Sequence, residues 1–111
     1  MEVRIKKVTD TAKMNTTCEL FADIEKKIIV NPKEKVEINT GVIIYIPKGY
    51  YGLIHGCCDL SQTRDVIGDN YKKVICIPFF NTSDEPKIIV PGQKIATVDI
   101  LRLWTSRNQK G

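Results

Sequence analysis

The sequence lacks the features that mark membrane proteins, secreted proteins and metal-binding proteins. No stretch approaches the roughly 20 consecutive apolar residues that a membrane-spanning helix needs. The first residues, MEVRIKKVTDTAK, alternate polar with apolar positions and do not form the apolar block of a signal peptide. The chain has one histidine, and none of its cysteines are spaced as C-x-x-C, the spacing typical of structural zinc. We therefore expect an intracellular protein with no membrane contact and no resident metal.

A helical repeat of apolar residues is also missing, and a period of two takes its place. Val3 and Ile5 alternate with polar residues, as do Val36 and Ile38. The other apolar runs are short and rich in Val, Ile, Tyr and Phe: 28–30, 42–46, 51–54, 74–80, 88–90 and 95–103. Turn residues separate these runs, among them Asn39-Thr40-Gly41, Pro47-Lys48-Gly49 and Pro91-Gly92. The pattern predicts an all-β chain folded as a sandwich, barrel or jelly roll.

Length and charge limit the organisation of the chain. Its 111 residues, 42% of them hydrophobic, suit one domain, which we place at residues 1–104, with a short polar C-terminal tail at 105–111. The 17 basic and 13 acidic residues leave a net charge of +4 that is scattered along the sequence, so we expect no specific nucleic-acid binding. Two predicted strands, at 73–80 and 95–104, carry apolar residues on both faces, which indicates burial against identical copies of the chain.

Four segments in the same order resemble the motifs of the trimeric dUTPases, most closely the viral members. Residues 40–54, TGVIIYIPKGYYGLI, resemble the family's T-G-V…P-K-G-Y-x-G-x-I, and residues 65–72, DVIGDNYK, resemble its G-V-I-D-x-x-Y-R hairpin. Phe80-Asn81 and then residues 92–96, GQKIA, are similar to its F-N and its G-D/Q-R/K-I-A-Q. Residues 18–22, CELFA, stand where the family has Y-D-L-Y-A. No single segment is specific, but the agreement in order and spacing is.

The resemblance implies a jelly-roll, or β-clip, subunit that forms a homotrimer with active sites at the subunit interfaces. Members of the family hydrolyse dUTP to dUMP and pyrophosphate with Mg²⁺ on the phosphates. An aspartate in the hairpin helps to hold the uridine and to activate the attacking water. The resemblance also implies that Tyr71 packs under the deoxyribose, with Ile67 and Gly68 beside it in the nucleotide site.

The chain departs from the family pattern at the positions that carry the chemistry. The hairpin aspartate aligns with Gly68, which has no side chain, and we expect the neighbouring Asp69 to face the opposite side of a strand. The phosphate-binding R-S-G aligns with Cys57, Cys58 and Asp59, and the carboxylate of Asp59 would repel a triphosphate.

Two further motif positions, Thr97 and Glu19, carry side chains that differ from those of the family. One segment of the family pattern has no counterpart in this sequence. The fourth-motif glutamine aligns with Thr97, and Glu19 is a conservative replacement for the first-motif aspartate. The sequence also shows no counterpart of the family's Gly-rich C-terminal arm. The nucleotide site is therefore expected to survive only as a remnant.

These departures predict a dUTPase-like pseudoenzyme without efficient hydrolysis, a viral homotrimer whose surface binds a host or viral protein in the host cytoplasm or nucleus. No cofactor is expected, and Mg²⁺ only if a nucleotide such as dUTP or dUMP is still bound. One alternative is a pseudoenzyme that retains nucleotide binding through Tyr71. The other is an active dUTP diphosphatase in which Asp65 or Asp69 takes the role of the base.

Overall fold

The computed structural model describes residues 3–12, 19–56 and 64–103, and strands are the regular elements found there. Valine and isoleucine are branched at Cβ, which favours extended backbone, and Gly, Pro and Asn end each run. The strands are β1 (Arg4–Lys7), β2 (Glu19–Phe21), β3 (Ile28–Val30), β4 (Lys35–Asn39), β5 (Val42–Tyr45), β6 (Tyr50–Gly56), β7 (Arg64–Ile67), β8 (Cys76–Phe80), β9 (Lys87–Ile89) and β10 (Lys94–Arg102). The prediction of an all-β chain is confirmed.

Every strand pair is antiparallel, and early strands pair with late ones. β1 pairs with β5, β3 with β9 and β4 with β8, while β2, β10, β6 and β7 lie in this order in a four-stranded sheet. Among these pairs, only β6 and β7 follow each other directly along the chain. This nesting of distant strands is the pairing pattern of a jelly roll.

The turns between strands lie where the sequence predicts them. Gly41 has a φ of 69°, and a Cβ atom at this position would lie 2.5 Å from Oδ2 of Asp23 and 2.8 Å from Cβ of Ala12. Both the left-handed backbone and the lack of space therefore require glycine. The amide of Tyr50 donates to the carbonyl of Pro47 over 3.1 Å, which closes the predicted turn between β5 and β6.

One apolar core fills the space between the sheets. Alternate residues face inward along the strands: in β5, Val42 and Ile44 are buried, whereas Ile43 and Tyr45 are half-buried. The apolar residues with exposed fractions of 0 or 1% are Val30, Ile38, Val42, Ile44, Ile75, Ile77, Ile89 and Ala96. Full burial of a valine or isoleucine side chain contributes about 1.5–3 kcal/mol, so these side chains dominate the stability of the fold.

Two buried polar side chains tie loops to the core. The Thr40 hydroxyl donates to the carbonyl of Ile75 over 2.7 Å. The side-chain amide of Asn81 donates to the backbone carbonyls of Val30 and Glu85 over 2.9 and 2.8 Å. Because each buried donor has a partner, these side chains fix loop positions without a desolvation penalty.

Several apolar side chains remain exposed on the single chain. They are Val8, Ile29, Val66, Phe80, Ile88, Val90, Leu101 and Leu103. Phe80 ends β8, and Leu101 and Leu103 lie at the end of β10, the two strands for which the sequence predicts apolar residues on both faces. The tail at 105–111 lies outside the described residues, so the domain boundary after residue 104 stays a prediction.

No helix in the described part of the chain is long and apolar enough to cross a membrane.

Candidate functional site

The hairpin of β6 and β7 positions the segment that the resemblance assigns to the nucleotide. Gly52 pairs with Ile67, and Ile54 pairs with Asp65. A Cβ atom at Gly52 would lie 2.8 Å from Cγ1 of Ile67, so the absence of a side chain at Gly52 lets Ile67 pack into the core, where it is 3% exposed. The end of β7 is thereby held at a fixed depth, and the chain leaves the sheet at Gly68.

Residues 68–71 form a turn that begins directly after β7. The amide of Tyr71 donates to the carbonyl of Gly68 over 3.1 Å, and Asp69 is exposed within the turn. The expectation that Asp69 faces the opposite side of a strand is therefore wrong, because β7 ends at Ile67 and strand alternation does not extend to Asp69.

Gly68 leaves open space where a side chain would begin. A Cβ atom placed there would meet one atom within 4 Å, the side-chain Oδ1 of Asn70 at 3.3 Å, and this atom ends a side chain that can move. Gly68 is not at a positive φ either, unlike Gly41, Gly49 and Gly92. The backbone therefore accepts a larger residue, and what position 68 lacks is a functional group.

Tyr71 is the aromatic residue of this region and lies among groups that carry negative charge when ionised. Its ring is half-buried and packs against the core. Partial burial raises the pKa of the Tyr71 phenol, and the charges of Cys76, Asp65 and Glu37 raise it further. The phenol is therefore protonated at neutral pH and can donate a hydrogen bond.

The carboxylate of Asp65 is the acidic group of β7 that influences Tyr71. Its Oδ1 accepts a hydrogen bond from the amide of the next residue, Val66, over 2.9 Å, and the residue is exposed at the sheet edge. With Ile67, Gly68, Asp69 and Tyr71, it forms what we call the hairpin group. This group combines a phenol and two carboxylates with a position that has no side chain.

A second set of predicted site residues lies on β2 and β10, and we call it the β10 group. Thr97 pairs in register with Glu19 on one side and with His55 on the other. Lys94 Nζ lies 2.5 Å from Glu19 Oε2, so the first-motif carboxylate is paired with a cation. This ion pair is partly exposed, so its contribution to stability is at most about 1 kcal/mol.

His55 lies on the same face of the sheet as Thr97 and is hydrogen-bonded there. Its Nε2 lies 3.0 Å from Oδ2 of Asp99, across β6 and β10. No group of three His, Cys, Asp or Glu side chains in the described ranges is arranged to hold a metal ion. His55 therefore serves as a hydrogen-bonded sheet residue in the part of the chain that the structure describes.

Gly68 of the hairpin group and Thr97 of the β10 group lie apart within one chain. Ile67 pairs with Gly52, which pairs with Ile100, three residues beyond Thr97 along β10. At about 3.3 Å per residue and about 4.8 Å per strand, Ile67 and Thr97 are separated by about 10 Å along the strands and about 10 Å across them. Other members lie closer, since Ile54, the partner of Asp65, is the neighbour of His55 on β6.

Two of the predicted site residues, Cys57 and Cys58, lie outside the described residues, as does Asp59. The sequence interpretation also missed residues that the fold brings to the two groups. Lys94 and Asp99 join the β10 group, and Glu37 and Cys76 influence Tyr71. These residues come from strands distant in sequence, and only the pairing register, for which the sequence carries no local signal, brings them together.

Curated proteins with similar sequences share one name. No family model matches the chain. It is 27% identical over 116 residues to the deoxyuridine 5'-triphosphate nucleotidohydrolase of Wolbachia pipientis subsp. Culex pipiens (strain wPip), with 88% of this chain and 75% of the relative covered. The identity is 32% over 105 residues to the protein of the same name from Blochmanniella floridana (79% and 66% covered). It is 32% over 81 residues to that of Yaba monkey tumor virus (68% and 57% covered).

Solved structures with a similar fold include phage dUTPases. A mutant of the Staphylococcus bacteriophage 80alpha dUTPase with dUpNHpp matches at a TM-score of 0.80 and 20% identity, covering 94% of this chain and 92% of that chain. A mutant dUTPase of the S. aureus phage phi11, which coordinates a structural Mg(II) ion, matches at a TM-score of 0.74 and 22% identity, covering 95% and 93%. The chain has the dUTPase fold, which confirms the predicted jelly-roll class, and the sequence similarity supports the dUTPase family.

Proposed function

We propose that this chain is a homotrimeric dUTPase-fold pseudoenzyme that does not hydrolyse dUTP efficiently and acts as a protein-interaction module. The observation that carries the proposal is Gly68. The resemblance requires an aspartate at this position and the chain has none, although a Cβ atom there would meet one side-chain atom within 4 Å, Oδ1 of Asn70 at 3.3 Å. Contacts of a first side-chain atom therefore do not require glycine here.

The chemistry of the reaction explains why this position matters. Hydrolysis at the α-phosphorus needs a carboxylate that orients and polarises a water molecule in line with the leaving group. Gly68 supplies backbone atoms alone, and its carbonyl already accepts the amide of Tyr71. Asp69 lies exposed in the turn, so its carboxylate is not fixed by contacts within the described residues.

The charges of the hairpin group oppose the binding of a triphosphate. After burial and Cys76, the charges of Asp65 and Glu37 also raise the pKa of the Tyr71 phenol, so both carboxylates lie close enough to act on the ring on which the sugar would rest. Transition-state charge in phosphoryl transfer is stabilised by cations and hydrogen-bond donors, and each such group contributes roughly 10²-fold or more to the rate. Negative groups at this place lower both affinity and rate.

Two features support assembly into trimers. One is the set of exposed apolar side chains, and the other is the distance between Gly68 of the hairpin group and Thr97 of the β10 group. Val66 is 58% exposed on β7 and pairs with the half-buried Leu53, while Leu101 follows on β10. A second copy of the chain packed on this sheet face would bury these side chains and could bring a hairpin group to a β10 group. Light scattering should give a particle of three times 12.6 kDa, and Val66→Asp should lower the mass.

A protein partner, host or viral, is the remaining part of the proposal, together with a viral origin and a location in the host cytoplasm or nucleus. The support is indirect. One fold can carry many unrelated functions, so a chain with the dUTPase fold that lacks the catalytic aspartate can serve as a binding protein.

A second candidate is an active dUTP nucleotidohydrolase. It is favoured by the names of the curated relatives and by Asp65, whose charge reaches the Tyr71 phenol. In this case, Mg²⁺ would arrive on the phosphates of the nucleotide, as metal ions in phosphoryl-transfer sites often do. Asp65 or Asp69 would then have to act as the base.

Pyrophosphate release from dUTP with Mg²⁺ at high protein concentration tests the proposal, with dTTP and dCTP as controls. The pseudoenzyme predicts no release from dUTP above the controls. Release selective for dUTP would favour the second candidate, and Asp65→Asn and Asp69→Asn would then identify the base. The partly exposed ion pair between Glu19 and Lys94 provides a matched control, because Lys94→Met alters the β10 group and leaves the hairpin carboxylates intact.

A further inference from the structure

The cations of the described chain are unevenly distributed in space, although they look scattered in sequence. β1 and β5 pair so that Arg4 lies opposite Tyr45 and Lys6 opposite Ile43. β5 then leads into the turn that carries Lys48, and Arg102 at the end of β10 pairs with Tyr50 just after this turn. These strands and this turn form one end of the molecule, which we call the β5–β6 end.

The β5–β6 end is basic and has no acidic residues of its own. Its four cations are Arg4, Lys6, Lys48 and Arg102, all of them exposed. They equal the net charge of the whole chain, which is +4. Residues 3–6, 43–55 and 100–103 contain no Asp or Glu, and no ion pair to any of the four occurs among the residues that the structure describes. The nearest carboxylate along β10 is Asp99, and it is bound to His55 over 3.0 Å.

Aromatic rings lie between these cations. The guanidinium of Arg4 stands over the Tyr45 ring, 5.6 Å from its centroid. Tyr50 follows the turn directly, pairs with Arg102 and is half-buried, and the exposed Leu103 donates its amide to the carbonyl of Gly49 over 2.8 Å. Tyr45 and Tyr50 are thus the aromatic residues of this end, the first under Arg4 and the second opposite Arg102.

We infer that the β5–β6 end binds single-stranded nucleic acid without sequence preference. Extended cationic surfaces follow a phosphate backbone, and aromatic faces stack with unpaired bases, which is the combination that single strands recognise. Lys48 is three residues from Tyr45 and two from Tyr50 in the sequence. Its Cα atom therefore lies within about 11 Å of their Cα atoms. An acidic protein would satisfy the cations but would make no use of the tyrosines.

Binding of a fluorescent oligothymidylate of about 20 nucleotides, followed by anisotropy, tests this inference. If the four cations contact phosphates, affinity should fall about 50-fold between about 50 and about 200 mM salt. The variant with Arg4→Glu, Lys48→Glu and Arg102→Glu should bind at least tenfold more weakly. The variant with Lys26→Glu, Lys35→Glu and Lys27→Glu changes net charge equally at exposed positions elsewhere and should bind within about threefold of the parent.

Stacking is tested separately with Tyr45→Leu, which keeps an apolar side chain under Arg4. It should weaken binding of the oligonucleotide by about fivefold or more. Circular dichroism of each variant confirms that the fold is retained.

Four results would overturn the inference. They are no binding at low salt, equal losses in the two charge variants, duplex binding as tight as single-strand binding with no effect of Tyr45→Leu, and displacement of the oligonucleotide by polyglutamate at equal charge concentration. The last result would assign the β5–β6 end to an acidic protein. None of these results depends on whether dUTP is hydrolysed.

Discussion

Tyr71 and Gly68 are joined by a hydrogen bond from the Tyr71 amide to the Gly68 carbonyl, 3.1 Å long. This bond closes a turn in which the aromatic residue of the nucleotide motif is held beside a position that has no side chain. In the proposed pseudoenzyme, this turn keeps the aromatic residue on which a sugar would rest and lacks the carboxylate that would activate a water molecule.

Gly68 and Gly52 should respond differently to a side chain. Gly68→Ala should change stability by less than about 1 kcal/mol, because a Cβ atom there meets one mobile oxygen at 3.3 Å. Gly52→Ala should cost about 1–3 kcal/mol, because its Cβ would lie 2.8 Å from Ile67 and 3.2 Å from Ile46 and Val98. Urea denaturation measures both. Equal losses would show that position 68 is constrained by packing.

Asn81 should be among the most sensitive polar residues of the fold. It is 2% exposed, donates to the carbonyls of Val30 and Glu85, and its Oδ1 accepts from the Ser83 amide over 3.0 Å. Asn81→Ala should lower the free energy of unfolding by about 2–4 kcal/mol, since buried carbonyls lose their donors. Ser83→Ala is the matched control and should cost about 1 kcal/mol or less. A similar cost for the two variants would contradict this assignment.

The strands were predictable from the sequence, but their partners were not. The apolar runs and the turn residues place β3, β5, β9 and β10 within one or two residues of their observed bounds. The pairing of Thr97 with Glu19 and His55, and the ion pair of Glu19 with Lys94, depend on a register between distant strands. The sequence carries no local signal for such a register.

Most residues of the hairpin group were predicted from the motif, but the predicted direction of the Asp69 side chain was wrong. Asp69 was expected to follow strand alternation, but Gly68 ends the strand and turns the chain. Motif spacing identifies which residues come together, whereas the direction of a side chain depends on where the strand ends. The influence of Glu37 and Cys76 on Tyr71 arises from β4 and β8, far from the motif in sequence.

Alkaline pH should destabilise the hairpin side of the molecule. Burial and then Glu37 raise the pKa of the Cys76 thiol, and the pKa of the Tyr71 phenol is raised as well. The fold therefore favours the neutral forms of both groups. Their contribution to stability is present below about pH 8.5, the ordinary pKa of a thiol, and is lost as the pH rises through the raised values of the folded state.

Urea midpoints measured from neutral to strongly alkaline pH test this dependence. Tyr71→Phe and Cys76→Ser should each flatten the alkaline decline. Glu37→Gln should flatten it too, because Glu37 contributes to both shifts. A decline as steep as that of the parent in all three variants would mean that other groups cause it.

Asp23 should anchor the N-terminal segment to the turn before β5. Its Oδ2 and Oδ1 accept the hydroxyls of Thr9 and Thr11, each over 2.5 Å, and its amide donates to the carbonyl of Asn39. Asp23→Ala should cost about 1 kcal/mol, the usual net contribution of a partly exposed hydrogen bond.

Hydrogen exchange locates the effect of that substitution. The amide of Val8, which donates to the carbonyl of Gly41 over 2.7 Å, should exchange faster in Asp23→Ala, while amides of β10 keep their protection. Asp10→Ala, an exposed carboxylate in the same segment, should leave the Val8 amide unchanged. Faster exchange throughout the chain would indicate global destabilisation and not a local anchor.

The most direct test of the central claim is pyrophosphate release from dUTP with Mg²⁺, measured for the parent chain and for Gly68→Asp side by side. The pseudoenzyme predicts that the parent releases no more pyrophosphate from dUTP than from dTTP or dCTP, and that Gly68→Asp stays folded because a Cβ atom at position 68 meets one mobile oxygen at 3.3 Å. Turnover by the parent that is selective for dUTP would contradict the account, since it would show that the carboxylate missing at Gly68 is supplied from elsewhere.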